Sequence, residues 1–445
     1  MNETMLAILG FATIIALVII FMKNLMGPAM AFVTVGLADA VILAATGTFS
    51  LSDIGDFISK GVSSTAPTAC LFLFSVVFFG IMTDAGMFDK IINALLKKVG
   101  NNVVGVAVMT AIVAMIGHLD GSGASTFLIT IPAMLPIYKK LHMRATTLML
   151  ICVVAMGAMN LLPWGGPTLR VATILNMDAN ILWKDLLPVQ VLGLVLGLIT
   201  AVIWGNIEKK RGAGLNGKLA QMETVEEQQN SIEEDKERAG LARPKLFIFN
   251  VVLTVAVILC LIFLPVPSYF SFMVGCMIAL VVNYGGAKMQ GLLFKRHADA
   301  AIMMASTLFG AGVFLGMLDE SGIMKNMANL IAGGIPASLG VYLPIIIGVI
   351  SVPVSLGFST DSYFYGILPV LVSLGSQWGV NPLSTGIAMV VCRNCATFVT
   401  PAVPATFLGC GLAGVEIKDH IKTSFFWAWG VSIICLIFGV VIGII

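Results

Sequence analysis

The sequence predicts an all-α polytopic membrane protein with about ten transmembrane helices and two re-entrant hairpins, arranged as two inverted-topology repeats. Three observations carry that reading. Apolar residues make up 58% of the 445-residue chain and charged residues only 11%, whereas a soluble domain is nearer half apolar and a quarter charged. The apolar residues fall in runs of roughly 18–25, the length a helix needs to cross a bilayer. Finally, a long segment of the first half recurs in the second at an almost constant offset.

The spans come first. Five lie at about 5–22, 25–47, 62–86, 145–176 and 188–206, and five more at about 246–264, 269–287, 300–318, 383–413 and 423–444. Domain boundaries follow: a first repeat over 1–207, a polar linker over 208–245 and a second repeat over 246–445. The first apolar run starts at Met5 without a basic stretch or a small-residue cleavage site, so no cleavable signal peptide is expected. All eight cysteines fall in apolar runs. Cys392 and Cys395 have zinc-knuckle spacing but no second pair, and packed thiols are the reading. Net charge is +2 and says little; no nucleic-acid partner is expected.

Lysine and arginine placement sets the orientation. With the N-terminus outside, twenty of the twenty-five basic residues face the cytoplasm, among them Lys23, Lys97, Lys98, Lys139, Lys140, Arg144 and the linker bases. Lys60, Lys184 and Lys325 face outward, and Arg170 and Arg393 stay inside membrane segments. Both termini are then outside and the linker is cytoplasmic, in a plasma membrane.

The repeat is explicit. Phe78, Gly80, Gly86 and Asn93 align with Phe314, Gly316, Gly322 and Asn329 at one common shift in numbering. Ser122, Ser125, Phe127, Pro132 and Pro167 align with Ser359, Ser362, Phe364, Pro369 and Pro404 at a shift larger by a single position. Five spans per half, an odd number, make the halves insert in opposite senses. Inverted repeats of this kind characterise secondary transporters.

Two apolar regions, 102–138 and 338–374, are read as hairpins. The first has "GHLDGSGASTF" at its centre. Its arms, 103–117 and 127–138, rise about 22 Å and about 18 Å as helices, short of a hydrocarbon core of about 30 Å. Basic residues flank both outer ends, so the segment dips in and returns, with Asp120 to Thr126 near the midplane. Two short spans with an outer turn are the alternative, at the expense of the charge asymmetry. The second hairpin, carrying "PVSLGFSTDSYFYGILP", enters from the opposite face with Ser359, Thr360, Asp361 and Ser362 at its tip. Irregular backbone at that depth survives only inside protein or beside a water-filled cavity, so two such tips suggest one site between them.

Beside each tip a spanning helix is interrupted. "NLLPWGGPTLR" (160–170) and "TFVTPAVPATF" (397–407) each hold two prolines, which remove donors and clash with the preceding turn. A kinked, unbroken helix is the alternative. Half-helix N-termini favour anions. Arg170, just past the first break, either contacts an anionic substrate through its planar fork, pairs with Asp120 or Asp361, or snorkels outward. Arg393 either pairs with a neighbouring helix or contacts substrate. Asp120 and Asp361 at the tips, and Asp39 in the second span, are candidates for carrying a proton or a cation. Asp120 has tip capping as its alternative, and Asp39 has helix pairing. His118 reads more simply as a packed residue.

The motifs "DGSGAST", "PWGGPTLR" and "YFYGILP", and the order of everything between them, resemble the citrate–metal–proton symporter family (CitMHS) of the ion transporter superfamily, over essentially the whole chain. The resemblance implies symport of citrate, complexed with a divalent cation, into the cell with protons. It also implies a homodimer. Cofactors are none: the cation is a co-substrate and the proton the coupling ion. Carried over residue by residue, substrate contacts fall on Ser122, Gly123, Ser125, Thr126, Gly165, Gly166, Thr168, Arg170, Ser359, Thr360, Asp361, Ser362 and Thr400. Proton coupling falls on Asp120, Asp361 and Asp39. The chain departs from the family in having Ser122 where a second acid stands at the first tip, and a less polar second break. That leaves no assigned metal ligand and keeps metal-free citrate or another organic anion open, since hard cations want charged oxygen ligands. An inorganic-ion exchanger of the same architecture is the reading from another class. An enzyme is not expected: there is no HExxH and no GxSxG with a partner dyad.

Overall fold

A computed structural model describes residues 1–23, 25–96, 102–214, 240–264, 266–333, 337–356 and 358–445. Lys97, Lys98 and most of the expected linker (215–239) lie outside the described residues.

The first half runs α1 (Glu3–Met22), α2 (Pro28–Ala45), α3 (Leu51–Asp84), α4 (Met87–Leu96), α5 (Val103–Gly117), α6 (Gly123–Lys140), α7 (Ala145–Met159), α8 (Gly166–Ile174) and α9 (Ala179–Arg211). The second half runs α10 (Phe247–Phe263), α11 (Ser268–Asn283), α12 (Ala287–Arg296), α13 (Ala298–Glu320), α14 (Ile323–Ala332), α15 (Leu343–Ser355), α16 (Thr360–Gln377), α17 (Pro382–Cys395), α18 (Pro404–Ala413) and α19 (Ile417–Val441). No strand occurs among the described residues.

Eight helical stretches among the described residues are long and apolar enough to cross a bilayer. One of the eight is the first arm of the first hairpin, Val103–Asp120. Three expected spans fall outside that set: two are interrupted near their middles, and α11 has 16 residues. Large apolar side chains stand exposed along the outer helices, among them Ile8, Leu37, Val252, Val281, Ile302 and Ile437. Such a belt is at home in lipid.

Two helices reach further than hydropathy suggests. α3 begins at Leu51, not near 62, because Ser50 and Asp53 form a capping box: Ser50 accepts from the Asp53 N–H, and Asp53 accepts from the Ser50 N–H. α9 begins at Ala179, where Asp178 accepts from the Asn180 N–H at 2.8 Å. It closes on Lys209, Lys210 and Arg211, basic residues that suit a helix C-terminus.

The repeat is visible element by element. α4 superposes on α14 at both ends under the shift that takes Phe78 to Phe314, and α6 superposes on α16 at both ends under the shift that takes Ser122 to Ser359. Gly86 and Gly322, which open α4 and α14, share a left-handed backbone (φ +76 and +73) that glycine adopts without strain. α12 and α13 together occupy the positions of α3, with one interruption at His297. α3 and α13 form the most extensive helix pair. They approach so closely that a Cβ on Gly61 would strike the Gly312 backbone carbonyl, the close packing that small residues allow in membranes.

Candidate substrate site

The first hairpin has both feet at one end of the molecule. The Gly214 N–H donates to the Leu141 carbonyl at 2.8 Å, and a Cβ on Gly214 would lie 3.7 Å from Val103. Its first arm has 15 residues, about 22 Å, the same length as α7, which starts beside the same foot. The tip therefore reaches the level at which α7 stops.

That tip is tighter than the sequence suggested. One turn of 3-10 helix, His118–Asp120, leads to Gly121 in the left-handed region (φ +73), and Ser122 caps α6. Ser125 and Thr126 are already in the first helical turn. The reason is a small acceptor set serving the free N–H groups of α6. Asp120 Oδ1 accepts the Ser122 N–H at 2.8 Å, Asp120 Oδ2 accepts the Ser125 hydroxyl, and Ser122 Oγ accepts the Ser125 N–H at 3.4 Å. Asp120 thus caps the tip. Fully buried His118 ties it down: Nδ1 lies 2.7 Å from Thr126 Oγ1 and Nε2 lies 3.2 Å from Asn160 Oδ1.

The adjoining break runs from 160 to 165. The Thr168 hydroxyl donates to the Asn160 carbonyl at 3.2 Å, and the Trp164 indole N–H donates across to the Leu119 carbonyl at 2.7 Å. A side chain at Gly165 would run into the Asn160 and Leu162 carbonyls. Gly166 opens α8, followed by Pro167. The structure gives a broken helix here, not a kinked one.

At the second tip Ser359 repeats the role of Ser122. Its Oγ accepts the Ser362 N–H at 3.2 Å and sits 2.8 Å from Ser362 Oγ. The next residues differ. Arg170, from α8 of the first half, places both Nε and Nη2 2.7 Å from Asp361 Oδ1. Of the three fates open to Arg170 in the sequence, this is pairing with Asp361. The two side chains are 7% and 14% exposed.

The second break spans 396–403, beginning before its first proline. Arg393 is therefore in the last turn of α17, close to the break. The residue before a proline avoids helical geometry, so unwinding starts upstream. The Thr400 hydroxyl donates to the Ser355 carbonyl at 2.8 Å and accepts the Ala402 N–H at 3.1 Å, stapling the break to the second hairpin. His420 Nε2 lies 2.9 Å from the Phe398 carbonyl. The Phe398 ring meets His118 edge-on at 5.5 Å and would strike any side chain at Gly123.

Each hairpin is held by the broken helix of the other half: α8 packs on α16, and α18 packs on α6. At the centre, α7 and α17 cross where a Cβ on Gly157 would lie 2.7 Å from the Asn394 carbonyl. Gly157 and Asn394 are related by the same shift as Ser122 and Ser359, so equivalent residues meet at the crossing. The structure brings together Asp120, Ser122, Ser125 and Thr126 at one tip, and Ser359, Thr360, Asp361, Ser362 and Arg170 at the other. Asp39 is elsewhere: its Oδ1 accepts the Thr13 hydroxyl at 2.7 Å, between α1 and α2. A cavity of about 500 Å³ borders α8 at Thr173 and α16 at Pro369, and reaches Lys60, Glu320 and Lys325. It lies one helical turn beyond Arg170, outside the tips themselves.

Sequence reasoning passed over Asn160, Trp164 and His420, which brace the breaks, and ranked Arg393 second to Arg170. An asparagine and an indole inside an apolar span were the available signals.

A family model described as citrate transporter (CitMHS) matches residues 2–392. The chain belongs to the citrate transporter family. A Bacillus subtilis (strain 168) protein named citrate transporter is 35% identical over 441 residues, covering 99% of this chain and all of that one. Another from the same organism, named Mg(2+)/citrate complex secondary transporter, is 33% identical over 441 residues and 99% of each chain. Among solved structures, the YdaH transporter of Alcanivorax borkumensis superposes with a TM-score of 0.57 at 14% identity, covering 94% of this chain and 98% of that one. That likeness shows the shared fold. The family is one of transporters, and the protein is a membrane protein, not an enzyme.

Proposed function

We propose that the protein is a secondary active transporter that brings citrate into the cell, as a complex with a divalent cation, in symport with protons. The observation that carries this is the Arg170–Asp361 pair. A buried arginine just past a broken-helix N-terminus meets the tip of a hairpin from the other half, inside a family of citrate transporters. Arginine's fork suits a carboxylate, and here a carboxylate already occupies it. A substrate carboxylate exchanging with Asp361 would loosen one half from the other, which is what alternating access needs.

In this reading the halves are 1–207 and 246–445, the linker 208–245 is cytoplasmic, and both termini face outward across the plasma membrane. The tip hydroxyls of Ser122, Ser125, Thr126, Ser359 and Thr360 and the backbone at Gly123, Gly165 and Gly166 line the substrate path. Asp120 and Asp361 carry the protons. Two copies of the chain form a homodimer, which light scattering of the detergent-solubilised protein tests.

One observation favours a second reading, metal-free citrate or another di- or tricarboxylate. No group of three His, Cys, Asp or Glu side chains among the described residues gathers to hold a metal ion. In the complex reading a co-transported cation would have to be held by citrate's own oxygens. Uptake of labelled citrate into proteoliposomes under an inward proton gradient decides between these. Stimulation by Mg²⁺ or Ca²⁺ and loss with chelator supports the complex. Uptake indifferent to chelator supports the free anion, and no uptake in either condition removes both.

A further inference from the structure

Among the described residues Arg393 is a charge with no ion-pair partner. It is 0% exposed and makes no ion pair among the described residues. Its contacts are neutral: Nη1 donates to Thr397 Oγ1 at 3.1 Å, Nη2 reaches Thr360 Oγ1 at 3.4 Å, and the guanidinium stands 5.7 Å from the Tyr363 ring centre. The Nε–H has no partner. A guanidinium carries five N–H donors, so several remain available.

A buried cation left uncompensated is costly, and such groups are paired in stable structures. The acid within its electrostatic reach is Asp361, which Arg170 already holds at 2.7 Å. Arg170, Asp361 and Arg393 lie within electrostatic range of one another. Together they carry one positive charge in excess. Thr360 and Asp361 are consecutive residues, so the two guanidiniums grip neighbouring positions of one helical turn.

The arrangement has no copy at the first tip. The repeat positions of Arg170 and Arg393 are Phe407 and Met156, both apolar. Fold symmetry therefore does not require the pair. A basic residue in the last turn does suit the helix C-terminus of α17, and that local role is the alternative the test must separate.

We propose that Arg393 anchors a second substrate carboxylate, so that the two arginines flanking the second tip select anions with at least two carboxylates over those with one. The proposal rests on the transport reading above and adds the specificity element to it. Arg170 takes one carboxylate in exchange for Asp361, and Arg393 takes another with its free Nε–H and Nη donors.

The test compares wild type, Arg393→Gln and Arg393→Lys as full-length purified protein. Thermal unfolding is read without substrate. Proteoliposome uptake of labelled citrate is read in competition with unlabelled citrate and with a monocarboxylate of the same skeleton lacking the other two carboxylates. A residue kept for a ligand gives a Gln variant that unfolds, without substrate, at or above the wild-type temperature. Its apparent citrate affinity falls at least tenfold, and citrate's advantage over the monocarboxylate shrinks toward none, while Lys retains part of that advantage. The proposal is overturned if the Gln variant unfolds several degrees below wild type without substrate. It is equally overturned if citrate and monocarboxylate lose affinity in the same proportion. Wild type that takes up no citrate removes the citrate reading, and the substrate-free unfolding comparison still decides what Arg393 is for.

Discussion

Lys60 Nζ of α3 lies 2.6 Å from Glu320 of α13, and this contact is made twice. The repeat equivalents of Lys60 and Glu320 are Arg296, the last residue of α12, and Asp84, and they pair at 3.4 Å at the other end of α3, where His297 Nε2 joins at 2.9 Å. Equivalent residues that exchange partners across two antiparallel helices define a two-fold relation between the halves. The two copies differ in burial: Lys60 is 64% exposed, Asp84 only 3%. Lys60→Ala should therefore leave the unfolding temperature close to that of wild type, as for exposed pairs. Asp84→Ala should cost about 1–3 kcal/mol, because buried polar groups lose a partner. Thermal unfolding in one detergent compares the two, and equal losses would contradict the burial argument.

Removing one member of the Arg170–Asp361 pair leaves the other charged and nearly enclosed. Either Arg170→Ala or Asp361→Ala should lower stability by about 3–5 kcal/mol. The double variant should lose less than the sum, since no orphan charge remains. Citrate uptake should be absent in all three. A double variant as unstable as the two singles added together would show that the residues do not act on each other.

Glycine at the first tip and first break should be intolerant for two different reasons. Gly121 has φ +73, and its Cβ would lie 3.3 Å from the Trp164 carbonyl. Gly165 has ordinary backbone angles, but two carbonyls block its Cβ. Gly47 is the control, with φ +63 and nothing within 4 Å. Gly47→Ala should cost only the left-handed penalty of about 1–2 kcal/mol and leave uptake intact. Gly121→Ala and Gly165→Ala should abolish uptake in protein that still elutes as a single species. Normal uptake in either variant would show that the tip–break contact is not needed for transport.

Much of this arrangement was legible because polar residues in apolar surroundings are conspicuous. The offset that relates Ser122 to Ser359 in the sequence holds at the atomic level, where both hydroxyls cap the residue three positions on. The prolines of both breaks announced themselves. Helix ends were less readable: the Ser50–Asp53 capping box lies in a polar stretch that hydropathy assigns to a loop. Least readable was partnership. Hydropathy and repeat spacing say which residues face inward, not which neighbour they meet, so the pairing of Arg170 with Asp361 of the other half's hairpin stood only as one alternative among several. For the same reason the sequence ranked Arg170 above Arg393 without showing that in the fold Arg170 has a carboxylate and Arg393 has no ion-pair partner among the described residues.

Asp120 tests whether capping and proton coupling can be separated in one side chain. Its Oδ1 accepts the Ser122 N–H at 2.8 Å, and its Oδ2 accepts the Ser125 hydroxyl. Asparagine keeps the first acceptor. Its amide can donate to Ser125 Oγ, whose own proton is then free for the Ser122 carbonyl 3.2 Å away. The shape of the tip should survive Asp120→Asn, with stability within about 1 kcal/mol of wild type, the worth of a typical hydrogen bond. The side chain can no longer ionise. If Asp120 carries the coupling proton, the variant should still show a citrate-induced rise in unfolding temperature, because a ligand of the folded state stabilises it. Its citrate uptake should no longer respond to an imposed proton gradient. Uptake that still follows the gradient would leave Asp120 as a cap alone and move the proton to Asp361. Exchange of that residue's carboxylate with substrate at Arg170 would then have to do the coupling.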